Sequence, residues 1–80
     1  MRLPAILARE AGGRGEFETS AATLAGALRE LPVADLLFDE QGGLRRLVNV
    51  YVDGRDARDE LASPLPAGAV VRVVAAVAGG

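Results

Sequence analysis

Few residues in this chain can do chemistry. It has 80 residues, no Cys and no His, and all nine of its basic residues are Arg. The usual general base near neutral pH, the commonest metal ligand and the thiol and amine nucleophiles are therefore missing. The 11 acidic residues could hold a hard cation only as a cluster, and none stands at loop-ligand spacing. What remains is the end, "RVVAAVAGG", where Gly79-Gly80 follows directly on a run that reads as a strand. A free α-carboxylate has a pKa of roughly 3.3–3.7, so it is ionised at neutral pH and can attack a phosphorus atom. Glycine has no Cβ, so two in a row can pass a narrow channel and present an unhindered carbonyl carbon. Residues 76–80 extend at most about 17 Å, at roughly 3.3–3.6 Å per residue. Either the two glycines are an idle tail or the C-terminus itself is the working part.

The rest of the chain must position that end. "RLPAILA" (2–8) is a short apolar run before the turn "AGGRG" and reads as a first strand, at an edge or beginning near Pro4 because proline has no N–H. "EFETS" (16–20) alternates and suits the second strand of a hairpin. From Thr23 to Leu31 the period changes. Leu24, Ala27, Leu28 and Leu31 fall on one helix face, with Thr23 or Ser20 as N-cap and Pro32 as the stop. Residues 32–43 read as irregular, with the apolar cluster Leu36, Leu37 and Phe38. "LRRLVNVYVDG" (44–54) is the clearest strand: Val48, Val50 and Val52 point to the core, Leu47, Asn49 and Tyr51 away from it, and Asp53-Gly54 is a turn. Residues 55–68 are polar and turn-rich, with room for one helical turn before Pro64. In the final strand, 69–75, Val71 and Val73 face the core and Val70, Arg72 and Val74 face solvent. The order β-β-α-β-β predicts an α+β domain: a mixed sheet of about four or five strands covered by one main helix, with the first and last strands as parallel neighbours.

Composition sets the partners. A net charge of −2 without a basic stripe argues against nucleic acid. "MRLPAILA" is interrupted at once by Arg9 and Glu10, too short for a membrane span or a signal-peptide core, so no membrane and a cytoplasmic location are expected.

The order of elements, the helix "TLAGALREL", the strand-turn "LVNVYVDG" and above all the ending "VAAVAGG" resemble the small ubiquitin-like sulfur carriers of the MoaD, ThiS and CysO types. The opening "PAILAREAGG" looks most like the CysO type. Gly68-Ala69 stands where many relatives carry Gly-Asp, and Ala75 and Ala76 where many carry Pro. The resemblance implies a β-grasp (ubiquitin-like) domain over residues 1–76 and a flexible reactive tail over 77–80, made of Val77, Ala78, Gly79 and Gly80.

It also implies a chemistry. A ubiquitin-activating-type adenylyltransferase uses ATP and Mg to adenylate the Gly80 carboxylate. A sulfur donor such as a sulfurtransferase then replaces AMP, leaving a thiocarboxylate. The sulfur passes to an acceptor enzyme in molybdopterin, thiazole or cysteine biosynthesis. The chain itself is then a co-substrate that binds no cofactor or metal, not an enzyme. Leu47, Tyr51, Arg72 and Val74 form the expected docking patch on the outer sheet face, beside the tail. Arg58 and Asn49 resemble recurrent family positions, either bracing a loop or touching a partner. Two alternatives share these features: a modifier conjugated to proteins through Gly80, and a β-grasp interaction module with an idle tail.

Overall fold

The computed structural model describes residues 1–75. The tail Val77 to Gly80 and the boundary drawn at residue 76 lie outside the described residues. Three helices, Ala5–Glu10 (α1), Leu24–Arg29 (α2) and Ala34–Leu37 (α3), precede strands Val48–Val52 (β1), Arg55–Asp56 (β2) and Val71–Ala75 (β3), with a 3-10 turn at Arg58–Glu60.

The sheet order is β2-β1-β3, with both pairings antiparallel. Asp53 and Gly54 close the β1–β2 hairpin with φ of 50° and 83°, the two positive values that a two-residue turn matching the strand twist requires. The chain start extends the sheet beyond β3. Arg2 bridges Arg72 in parallel, its N–H donating to Val71 O at 2.8 Å and its carbonyl accepting from Val73 N at 2.9 Å. Arg2 also bridges Glu16 in the antiparallel sense. Phe17 N donates to Met1 O at 2.8 Å and Leu3 N to Gly15 O at 2.9 Å. The expected mixed arrangement of five extended segments is therefore present, with its first two members reduced to single bridges.

The first strand expected over 2–8 is corrected: it ends after Arg2 and gives way to α1. On a parallel path the next group facing Val73 O would be the N–H of residue 4, and Pro4 has none. The Pro4 carbonyl instead accepts from Ala8 N at 2.9 Å, opening the helix. Ala11-Gly12-Gly13 then close it: Gly13 N donates to Ala8 O at 2.8 Å and Gly12 N to Arg9 O at 3.2 Å, with both glycines at positive φ. This is the paired Schellman closure. Leu7 is buried and Ile6 exposed. Residues 16–20, expected as a full strand, pair at Glu16 alone.

α2 begins where expected. Thr23 Oγ1 accepts from Gly26 N at 3.1 Å. Two further first-turn donors, Leu24 N and Ala25 N, find Ser63 O and Leu61 O. Leu24, Ala27, Leu28 and Leu31 are all buried. The three leucines pack in one cluster with Val48, Val50, Val52, Val71 and Val73 from the inner sheet face. Residues 34–37, expected as irregular, form the single helical turn α3, which sends Leu37 into the core and leaves Leu36 outside.

Candidate functional site

β3 is the last described element, and Val48 pairs with Ala75 at its end. The start of β1 therefore stands beside Ala75, the last described residue. Leu47, one residue earlier, is 43% exposed there. Tyr51 pairs with Arg72 and Asn49 with Val74, so three of the four expected docking residues, Tyr51, Arg72 and Val74, share the outer face, while Leu47 stands in the turn just before β1. Val70, 53% exposed, extends that face at the other end of β3. Together with Leu3 and Pro4, residues Tyr51, Val70, Arg72 and Val74 line an open depression on this face.

Arg2, Glu16 and Asp56 are placed here too, and sequence reasoning did not assign them. Asp56 pairs with Tyr51, Tyr51 with Arg72, Arg72 with Arg2, and Arg2 with Glu16. These five residues form one row across the sheet. Only the alternation of β1 and β3 carried a signal for it, at Tyr51 and Arg72, because single bridges leave no periodicity to read.

Arg58 settles as a loop brace. Its guanidinium donates to Leu44 O at 3.0 Å, to Arg45 O at 3.2 Å and to Val48 O. It thus fixes the approach to β1 and with it the position of Leu47. Asn49 Nδ2 donates to Asp56 Oδ2 at 3.1 Å. Arg58 N donates to Asp56 Oδ1 at 3.0 Å.

The Arg58 backbone N–H, then the Asn49 amide, hold the Asp56 carboxyl below its ordinary value of 3.8. Both bonds favour the charged form. A carboxylate whose folded pKa is depressed adds stability that is present above the unfolded pKa and lost as pH falls through the folded one. The stability gap between the native protein and Asp56→Asn is therefore expected to stay constant above pH 3.8 and to close as pH drops below it. Urea unfolding midpoints of both proteins along an acid series would show this. A gap indifferent to pH would mean that the charge of Asp56 is not what holds this corner.

Among the described residues no group of three or more acidic side chains is arranged to hold a metal ion. Among the same residues no helix is long and apolar enough to cross a membrane.

No curated protein matches the chain. Solved structures do. A chain of the Amycolatopsis orientalis BexX/CysO complex superposes with a TM-score of 0.81 and 27% identity, over 99% of this chain and 96% of that one. Mycobacterium tuberculosis CysO gives 0.81 and 29%, over 95% and 96%. SAMP1 from Haloferax volcanii gives 0.73 and 29%, over 99% and 94%. They bear out the β-grasp reading of the α2-covered sheet. The family model described as ThiS family matches residues 1–80, so the chain belongs to the ThiS family, among the small ubiquitin-like sulfur carriers of the MoaD/ThiS type.

Proposed function

We propose that this protein is a sulfur carrier that works through the carboxylate of Gly80. The observation that carries the reading is a family match running to residue 80, with Gly79-Gly80 five residues or fewer beyond the end of β3 at Ala75. A carboxylate is unreactive towards sulfur nucleophiles until it has a leaving group. One Gly80 oxygen attacks the α-phosphorus of ATP, the bond to pyrophosphate breaks, and an acyl-adenylate forms. A sulfur nucleophile then attacks the carbonyl carbon and AMP leaves with its electron pair. With sulfide as the nucleophile the product is the C-terminal thiocarboxylate itself. With a donor's persulfide it is an acyl disulfide, whose S–S bond a second thiol attacks, forming a disulfide with the donor sulfur and freeing the thiocarboxylate. An acceptor enzyme in cofactor or cysteine biosynthesis consumes the thiocarboxylate.

ATP and magnesium belong to the activating partner in this scheme, and the chain is its co-substrate. The outer face holding Tyr51, Arg72 and Val74, with Leu47 in the turn before β1, docks the partner and aims the tail. A CysO-containing complex with BexX among the similar structures supports docking on a protein partner. The test is ATP–pyrophosphate exchange by the purified activating enzyme of the same cell. Exchange is expected only when this protein is added, rising to saturation with its concentration. A partner that binds the sheet yet never exchanges would favour the interaction module.

A further inference from the structure

The row across the outer face places two like charges side by side. Residues bridged across neighbouring strands point to the same side, so the Arg2 and Arg72 side chains stand together on the outer face. Like charges directly opposite one another destabilise a sheet. Little among the described residues relieves them. Arg2 meets Glu16 at 3.8 Å, with side chains 68% and 79% exposed, and so exposed a pair is weak. The other ion pair among the described residues is Arg55–Glu60, so Arg72 takes part in none. Asp56, at the far end of the row, is already engaged by Asn49 and Arg58. The arginine pair opens on the depression whose apolar rim includes Leu3, Pro4, Val70 and Val74.

We infer that Arg2 and Arg72 form a receptor for one carboxylate side chain of the docked protein, an Asp or Glu flanked by apolar residues. The proposal rests on the outer face being the docking face. A guanidinium presents a planar fork that matches a carboxylate, and two of them around one anion turn mutual repulsion into shared attraction. The apolar rim favours an acidic peptide segment over a phosphate. The net charge of −2 opposes a polyanion.

The experiment uses the whole chain labelled with nitrogen-15 and three probes. These are a capped pentapeptide with a central Glu between two leucines, the same peptide with Gln in place of Glu, and inorganic phosphate. The Arg2 and Arg72 Nε–H signals should shift saturably with the Glu peptide. The Gln peptide and phosphate should bind about tenfold more weakly, and Arg72→Gln should erase the difference. In the free protein Arg72→Gln should raise Tm by about 1–3 °C at low salt, a gain that disappears at high salt. Equal binding of both peptides would overturn the carboxylate receptor while leaving the docking face in place. Phosphate binding as tightly as the Glu peptide would reduce the pair to general anion attraction. No shift with any probe, or a fall in Tm, would also overturn it, the latter by showing that Arg72 supports the fold. None of these readings involves Gly80, so they are separable from the tail chemistry.

Discussion

Removal of Gly80 is expected to abolish ATP–pyrophosphate exchange while leaving the fold as stable as before. The deletion moves the carboxylate one residue back, roughly 3.3–3.6 Å along an extended chain. An attacking atom must lie about 3–3.5 Å from its target and in line with the leaving group, so a shift of that size takes it out of reach. Adding an Ala after Gly80 should fail for the opposite reason. The carboxylate overshoots, and a Cβ now crowds the attacked carbon. Neither change touches the buried cluster of Leu24, Leu28, Val50, Val71 and Val73, so unfolding midpoints should coincide with the native value. The two variants therefore separate reach from folding. Equal exchange from all three proteins would mean that the terminus is not the reactive group.

The largest stability effect is expected at Leu28→Ala. Leu28 is 0% exposed, in the middle of the cluster that joins α2 to the inner sheet face. Truncating a fully buried leucine costs about 2–5 kcal/mol, from the lost transfer energy and the cavity left behind. A domain of this length has roughly 4–12 kcal/mol in total, at about 0.05–0.15 kcal/mol per residue. One substitution therefore removes a large share of the margin, and the urea midpoint should fall by a comparable fraction. Leu47→Ala serves as the contrast. Leu47 is 43% exposed in the turn before β1, and surface changes of this kind stay within about 0.5 kcal/mol. If Leu28→Ala changed stability no more than Leu47→Ala, α2 would not be the main cover of the sheet.

These two leucines also show what was legible in the sequence. Periodicity was reliable wherever an element was long enough to repeat. The 24, 27, 28, 31 stripe is buried as expected, and so are the alternate valines of β1 and β3. Asp53-Gly54 announced its turn because the required backbone angles favour those residues. The outward placement of Tyr51, Arg72 and Val74 followed from the same alternation, as the outer half of two strands.

The N-terminal segment was misread because a seven-residue apolar run carries no period that distinguishes strand from helix. Two local signals were present all the same. Pro4 removes the donor that a continuing strand needs, and "AREAGG" places two glycines where a Schellman closure uses them. Read together, they end a helix at residue 10. The arginine pair was beyond reach for a different reason. Arg2 and Arg72 are far apart in the chain, and their meeting depends on one parallel bridge. No local pattern encodes such a contact. α3 was missed because one turn, Ala34–Leu37, is shorter than the window needed to see a period.

Sulfur carried on Gly80 changes the mass of the protein. The most direct measurement is the intact mass of the protein purified from its native cell under conditions that spare thioacids. A second species is expected, heavier by the difference between one sulfur and one oxygen, with fragment ions placing the gain on Gly80. It should revert to the unmodified mass after hydrolysis. A branched peptide joining Gly80 to a lysine of another protein, with no sulfur-bearing species, would contradict the carrier account and favour the protein modifier.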